Sequence, residues 1–464
     1  MSAPLIWILV PAVLGGAMLF LRRWPGWVAA GAAGVCLLLA LLAWQLPADG
    51  SLHLGPLSLQ ISPVLVLFGR RFALEASDRP FLVLMYLFGS LWIFGTRPAG
   101  APALFPPLGL LMIALVVAAQ AVEPFLYAAL IIEMVVLLSL PLLAPPGRPA
   151  GAGALRYLVF QTMAVPVILL AGWAAGQVEA NPPGTRWVIE AAIFLALGFS
   201  IWLAVFPFHT WVPLLAQDTA PYIFGFLLGL LPVGILFIFL GFLDSYTWMR
   251  TSPLILEGLR LAGGLMILTS GIWAAFQNDM SRLLGYAILI TNGFAMLSIG
   301  LGSTLGIESF VVSLVPRLLA LALASLSVSV LQKNGLVTSL AGLAGALRRY
   351  PFAVLGLVTA LFSLSGLPLL ASFPIRQPLY EALAVQSLPL AVAVGLGNFG
   401  FFLGIYRLLV GVVQSDEAGW KIGERLSDII LLTTGLLALL GMGILPGVFL
   451  RASLALAQIF PHLR

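Results

Sequence analysis

The chain has very little charge. Of its 464 residues only 8% are Asp, Glu, Lys or Arg, whereas 61% are hydrophobic. A soluble chain of this length needs far more polar side chains to cover its core. Apolar runs of about 18 to 25 residues recur from end to end, and each is long enough to cross the hydrocarbon core of a bilayer. The composition therefore predicts an all-α polytopic membrane protein.

Cysteine and histidine are scarce as well. Cys36 is the one cysteine, and the three histidines, His53, His209 and His462, lie far apart. Disulfides, CxxC sites and iron–sulfur clusters need more cysteine than this, and no histidine spacing is typical of a metal site. We therefore expect no cofactor, no metal and no catalytic centre in this chain, so that any redox group would lie on another subunit.

The positive charge of the chain is spread along it. The net charge is +5, yet the arginines form no basic run longer than the pairs 22–23, 70–71 and 348–349. This pattern favours loop arginines that orient helices over a nucleic-acid surface. Loops that follow odd-numbered predicted helices hold twelve Lys or Arg residues, against seven on the opposite face. We therefore expect a plasma (inner) membrane protein with both termini on the outer face.

The apolar runs predict about fourteen transmembrane helices. A polar segment at residues 47–79 alternates in places and predicts a short β-hairpin outside the membrane. The predicted helices are 5–21, 27–46, 81–94, 104–121, 124–144, 154–176, 187–206, 219–243, 254–276, 283–302, 308–331, 351–372, 384–413 and 429–450.

Prolines interrupt two of these helices, the seventh at residues 203–213 (LAVFPFHTWVP) and the twelfth at 365–378 (SGLPLLASFPIRQP). The breaks are five helices apart, and an odd number of crossings inverts the second copy of a repeat. The pattern predicts two inverted five-helix repeats with a polar site near the midplane of each, although proline is also simply tolerated in membrane helices. The expected units are a three-helix segment with its external hairpin-like loop, the two repeats and a C-terminal helix, at 1–103, 104–245, 246–415 and 416–464.

Five stretches, in order along the chain, resemble one family. The sequence FPFHTWVP at 206–213 resembles a signature of the proton-translocating, antiporter-like subunits of respiratory complex I, a family that includes multisubunit sodium/proton antiporters and membrane-bound hydrogenases. The resemblance implies fourteen helices, two inverted repeats, a central polar axis for protons or monovalent cations, and other membrane subunits as partners. The further matches are EPFLYAALIIEMVVLLSLPLL (123–143), FQNDMSRLLGYAILITNGFAML (276–297), LAGLAGALRRYPFAVLGLVTALFSLSGLPLLASF (340–373) and NFGFFLGIYRLLVG (398–411).

The chain departs from this family at its lysines. Where the family carries lysine in the seventh and eighth helices, this sequence has Trp202 and about Pro232. In the tenth helix, Ser281 and Thr291 stand where the family has lysine and histidine. Burial tunes the pKa of lysine towards neutrality, and neither tryptophan nor proline offers a proton. The resemblance thus implies a pathway that is depleted in its usual relay groups.

Glu133 is the strongest candidate that survives in the first half. It lies in the middle of an apolar run, where a lone charge is costly. It is expected either to be paired with a cation, for which Arg156 at the start of the next helix is the candidate, or to be protonated and bonded to a backbone carbonyl. His209 is a candidate either for a relay that titrates near neutral pH or for a helix cap.

Arg317 and Arg376 are the candidates in the second half. Together, and with Glu381, they would form a residual polar site in the eleventh and twelfth helices. The competing interpretation is a fixed structural cation that saturates the carbonyls of a broken helix. Arginine biases a proton path electrostatically but passes protons poorly.

Three functions remain open from the sequence. The first is an integral membrane subunit of a complex I-like ion-translocating complex, linked to NADH and quinone, ferredoxin or hydrogenase, with a partly degenerate pathway. The second is a stand-alone or multisubunit cation/proton antiporter, against which the missing lysines weigh because autonomous exchange needs a complete titratable path. The third is a non-conducting structural subunit of a membrane arm.

Overall fold

The computed structural model describes residues 2–46, 51–54, 57–144, 147, 149–180, 185–414 and 422–463. Most of them are helical, because apolar runs with satisfied internal backbone hydrogen bonds are the stable form of a chain in lipid. The helices of eight or more residues are α1 Val10–Phe20, α2 Pro25–Gln45, α3 Arg79–Phe94, α4 Phe105–Ala121, α5 Ala128–Leu143, α6 Ala152–Ala180, α7 Thr185–Trp202, α8 Trp211–Asp218, α9 Pro221–Ser245, α10 Pro253–Ala275, α11 Met280–Gly300, α12 Thr304–Lys333, α13 Pro351–Ser365, α14 Phe373–Gln386, α15 Leu388–Val413, α16 Leu426–Ile444 and α17 Gly447–Leu454. One π-helical turn, Leu5–Leu9, leads into α1, and short helical turns lie at Thr96–Ala99, Thr247–Arg250 and Ala346–Arg349.

The chain is a multi-pass membrane protein, as the composition predicted. Within the described residues nine helices are long and apolar enough to cross a membrane, or ten if one bent pair counts as a span. Each of the fourteen predicted apolar runs overlaps a helix, but several of these are short. The count of fourteen spans, the unit boundaries and the inverted repeats stay predictions.

Between α2 and α3 the chain forms two antiparallel hairpins where the sequence predicted one. The strands are β1 Ser51–Leu54 paired with β2 Leu57–Gln60, and β3 Val64–Leu67 paired with β4 Arg70–Ala73. The second hairpin turns at Phe68 and Gly69, both with positive φ, which matches the twist of a two-residue turn. A short strand β5, Val122–Glu123, extends the second sheet beside β4.

Helix α9 lies at the centre of the bundle. Every residue from Pro221 to Leu243 is buried, in keeping with a sequence that is apolar on all sides. Its start is fastened to α3 by a reciprocal pair of hydrogen bonds. The Tyr222 hydroxyl donates to the Trp92 carbonyl oxygen at 2.6 Å, and the Trp92 indole donates to the Tyr222 carbonyl oxygen at 3.3 Å. The N-terminal segment is therefore tied directly to the central helix.

Glycines let two helices of the second half approach closely. A Cβ atom on Gly271 of α10 would lie 1.7 Å from the carbonyl oxygen of Gly397 on α15. Small residues allow such close backbone contact between membrane helices, where the apolar solvent gives little driving force for association. The crossing of α10 and α15 thus depends on the absence of side chains at this point.

Both predicted helix interruptions are present. The seventh helix ends at Trp202, passes Ala204 with φ +56° and a 3₁₀ turn at Phe208–Thr210, and resumes as α8. The twelfth ends at Ser365, passes Gly366 with φ +78°, and resumes as α14. A left-handed residue after the last helical turn ends an α-helix and leaves its final carbonyls in need of other donors. These breaks place free backbone groups inside the bundle.

Candidate functional site

Glu133 projects from α5 towards α6. The hydroxyl of Thr162 donates to its Oε1 atom at 2.8 Å, whereas Oε2 is buried and has no hydrogen-bond partner in the part of the chain that the structure describes. The side chain is half-buried. A carboxyl oxygen that is buried and unpartnered is costly unless water or a proton completes its bonding. The Oε2 atom of Glu133 therefore has capacity for one further hydrogen bond.

The expectation that Glu133 forms an ion pair with Arg156 is wrong. Arg156 is exposed, and the ion pairs among the described residues do not include it. Thr162 contacts Glu133 instead of Arg156. Thr162 lies six residues after Arg156 on α6, which is about 9 Å further along the helix axis. Arg156 is at the first turns of α6, whereas Glu133 is near the middle of α5. A role for Arg156 in a proton path remains a prediction.

Gln161, next to Thr162, links this site to the first helix break. Its buried side-chain amide donates to the carbonyl oxygen of Trp202, the last residue of α7, at 3.2 Å. The Oε1 atom of Gln161 and the indole nitrogen of Trp202 are buried without partners among the described residues. Adjacent polar residues of α6 thus touch both the intramembrane glutamate and the end of the broken helix. Sequence reasoning missed them, although a Gln-Thr pair inside an apolar run was the available signal.

His209 lies in the 3₁₀ turn of the same break. It is buried, its ring centroid is 5.5 Å from that of Phe206, and its Nδ1 atom has no hydrogen-bond partner among the described residues. This atom of the buried imidazole is therefore available for a hydrogen bond. Both the relay and the capping role remain predictions.

In the second half, Arg317 and Arg376 line one small cavity of about 30 Å³. Arg317 follows Pro316 on α12 and is buried, and its Nη2 atom donates to the side-chain oxygen of Asn292 on α11. Its Nε and Nη1 atoms are buried and have no partner in the described ranges. The expectation that the two arginines share a site agrees with this geometry.

Arg376 closes the second helix break. It donates through Nη2 to the carbonyl oxygen of Leu364 and through Nη1 to Asn398 Oδ1 at 3.1 Å. Its guanidinium carbon lies 3.8 Å from the ring centroid of Phe294, a cation–π contact. These contacts support the interpretation of Arg376 as a structural cation that saturates broken-helix carbonyls.

Glu381 does not belong to this site, so its grouping with the arginines is wrong. It is exposed, accepts a hydrogen bond from Gln377 Nε2 at 3.1 Å, and is absent from the lining of the cavity. Five residues separate it from Arg376 on α14, which is a rotation of about 140° around the helix. The two side chains therefore leave opposite sides of α14.

The four positions at which the family resemblance led us to expect lysine or histidine are all buried. They are Trp202, Pro232, Ser281 and Thr291. Lys333 is the one lysine among the described residues, and it lies at the end of α12 with its Nζ atom donating to the Pro98 carbonyl oxygen at 3.0 Å. Lys421 lies outside the described residues.

Fold and site together define a polytopic membrane protein with ionisable side chains inside a helix bundle, placed beside two helix breaks. Residues 185–401, which contain both breaks, match the family described as NADH:quinone oxidoreductase/Mrp antiporter, transmembrane region. Over this range the chain is similar to that family of membrane subunits, which confirms the resemblance in the sequence.

Relatives of known name extend the match. The chain is 26% identical over 332 residues to NADH-quinone oxidoreductase subunit N 2 of Acidobacterium capsulatum, and this alignment covers 66% of each chain. It is 25% identical over 434 residues to NADH-quinone oxidoreductase subunit 14 of Thermus thermophilus, and this alignment covers 89% of this chain and 96% of the relative. The first four curated relatives are matched over only 48% to 66% of their own length.

A solved structure shares the whole fold. A chain in the structure of the Mrp complex from a Dietzia species superposes with a TM-score of 0.79, over 99% of this chain and 98% of that chain. The two sequences are 16% identical, so this likeness concerns the fold alone. The fold described above is thus also found in a chain of the Mrp complex.

Proposed function

We propose that the protein is an integral membrane subunit of a complex I-like ion-translocating complex and contributes a proton or cation pathway of reduced capacity. The family and its named relatives support membership of such a complex. The observation that carries the reduced pathway is the half-buried Glu133 carboxyl, which accepts a hydrogen bond from Thr162 while the family's lysine positions are occupied by Trp202 and Pro232. One titratable group without its cationic neighbours exchanges protons but gives no continuous chain of relay groups.

In the first half, the pathway would run along α6. Thr162 holds the carboxyl, and Gln161 reaches the carbonyl oxygen that the break in α7 leaves free. The buried unpartnered atoms of Glu133, Gln161 and Trp202 are places where water molecules would bind. In the second half, Arg376 is engaged in closing α13, so this arginine would set the local potential and not carry protons.

Purification from the native membrane tests the proposed function. The full chain, with an affinity tag, is extracted in a mild detergent, and the proteins that accompany it are identified by mass spectrometry. We expect other membrane subunits in constant proportion, together with a redox-active module. Recovery of the chain alone, together with sodium/proton exchange when it is reconstituted alone in liposomes, would overturn the proposal in favour of an autonomous antiporter.

A non-conducting structural role is the second candidate, favoured by the hydrogen bonds of Arg376 to the Leu364 carbonyl oxygen at a helix end and to Asn398. Inverted membrane vesicles distinguish the two. If the chain conducts, vesicles whose complex carries Glu133→Gln pump fewer protons per electron than wild-type vesicles. If it is purely structural, this ratio is unchanged as long as the complex is assembled.

The proposed location is the plasma (inner) membrane, with both termini on the outer face. The support is the excess of arginine and lysine in alternate loops. Fusion of a reporter that is active only in the cytoplasm tests this orientation. Activity of a reporter placed after Ile459 would contradict it, whereas activity of one inserted between Asn334 and Leu336 is expected.

A further inference from the structure

The cavity between α11, α12 and α14 is lined by two cationic side chains and by no acidic side chain of the described residues. Arg317 and Arg376 both line it, and no aspartate or glutamate among the described residues does. Buried charges in proteins are normally paired, because an isolated charge in a medium of low polarity is very costly. The two arginines therefore lack a counter-charge among the described residues that line the cavity.

The two guanidinium groups differ in how far their donors are used. Arg376 donates to Leu364 and Asn398 and lies over an aromatic ring, so its surroundings are largely complete. Arg317 donates only to Asn292, and its Nε and Nη1 atoms are buried without an acceptor in the described residues. A buried guanidinium that uses one donor of five calls for a further acceptor of negative charge.

Hydroxyl groups complete the lining. Thr291, Ser298 and Ser313 donate to carbonyl oxygens of their own helices, one turn back. Ser309 makes no such bond within the described ranges, so its proton is free for a ligand in the cavity. The volume of about 30 Å³ is roughly twice what a single water molecule needs. This room suits one small ion or two water molecules.

From this geometry we propose that the cavity is a binding site for a small monovalent anion of the halide class, held by the free donors of Arg317 with Arg376 and Ser309 facing it. The anion would neutralise one of the two charges and supply the acceptor that Arg317 lacks. It would also stabilise α12 against α14 across the second break. The proposal does not rest on ion translocation by the chain, because it concerns only the charge balance of the bundle.

Bromide is the probe that tests this site. The full chain, in the complex with which it purifies, is prepared in sodium gluconate, which is then replaced by increasing sodium bromide at constant ionic strength. Each sample is heated, and the temperature at which half of the chain is lost from solution is measured. A ligand that binds only the folded state raises the midpoint in a saturable manner. We expect such a rise for the wild type.

Three variants locate the effect. Arg317→Met should abolish the saturable rise, whereas Arg22→Met, which removes an exposed arginine far from the cavity, should leave it intact. Ser309→Ala should raise the half-saturating bromide concentration about fivefold, the worth of one hydrogen bond. If Arg317→Met is produced too poorly to measure, Ser309→Ala decides the matter. A bromide response of equal size in the wild type and both cavity variants, or no response in the wild type, would show that water alone fills the cavity.

Discussion

Arg376 and Asn398 form a hydrogen-bonded pair, 3.1 Å from Nη1 to Oδ1, that closes the open end of α13. Arg376 donates to the Leu364 carbonyl oxygen, and Asn398 Nδ2 donates to that of Ser365 at 2.8 Å. Two consecutive carbonyls of the broken helix are thus satisfied by side chains from two other helices. The break keeps its shape because α14 and α15 supply the donors that the missing helical turn would have supplied.

Removing either member of this pair should therefore destabilise the protein without altering its surface. We expect Arg376→Met and Asn398→Leu each to lower the free energy of unfolding by about 1–3 kcal/mol, the cost of an unsatisfied buried carbonyl. The double variant should cost less than the sum, because the two side chains act as a unit. Thermal unfolding in detergent measures this, and Gln377→Met, at the exposed neighbouring position, is the control. Additive losses would contradict the coupling.

Replacement of Glu133 measures the importance of the first-half site. We expect Glu133→Gln, in the assembled complex, to reduce proton pumping far less than the roughly 100-fold typical of losing a positioned proton donor. The physical reason is that the route around Glu133 already lacks its lysines. Pumping in inverted vesicles is the measurement, and Thr162→Val, which removes the hydroxyl on the carboxyl, should act in the same direction. Complete loss of pumping in Glu133→Gln would show that the first half is fully active.

The crossing of α10 and α15 should not tolerate a side chain at Gly271. A methyl group there would meet the Gly397 carbonyl oxygen at 1.7 Å, so the helices must separate. We expect Gly271→Ala to lower the midpoint of thermal unfolding, since the loss of close packing outweighs the gain of about 1 kcal/mol in helix propensity. Gly258→Ala, on the same helix with open space around it, should be neutral or stabilising. Equal behaviour of the two variants would contradict the close crossing.

Glu424, just before α16, should give the protein a pH-dependent stability. Its carboxyl accepts the backbone N–H of Ala353 at 2.7 Å and of Phe352 at 3.3 Å, at the start of α13, and burial raises its pKa. A raised pKa means that the folded chain binds the proton more tightly than the unfolded chain. The contribution to stability is therefore complete below the ordinary glutamate pKa, about 4.3, and is lost as the pH rises through the folded-state pKa.

Unfolding midpoints measured from pH 4 upward test this dependence. We expect Glu424→Gln to flatten the fall in stability over the range that begins near pH 4.3, while still accepting one of the two backbone bonds through its amide oxygen. An unchanged pH dependence in this variant would place the titrating group elsewhere. A glutamine variant that fails to assemble would show that both acceptor oxygens are needed at the start of α13.

The sequence by itself determined the membrane class, nearly all the helices, the two breaks and the resemblance to a family. These follow from local features: the length of an apolar run, a proline within it, or a short motif such as FPFHTWVP. The tertiary structure alone decided the partners of the polar residues. Thr162 and not Arg156 holds Glu133, Glu381 faces away from the arginines, and Arg317 shares a cavity with Arg376. In lipid, a buried polar atom forms a hydrogen bond with whichever group a neighbouring helix presents at the same depth. Which group that is depends on how the helices are rotated and packed against each other. A short stretch of sequence does not encode this rotation and packing.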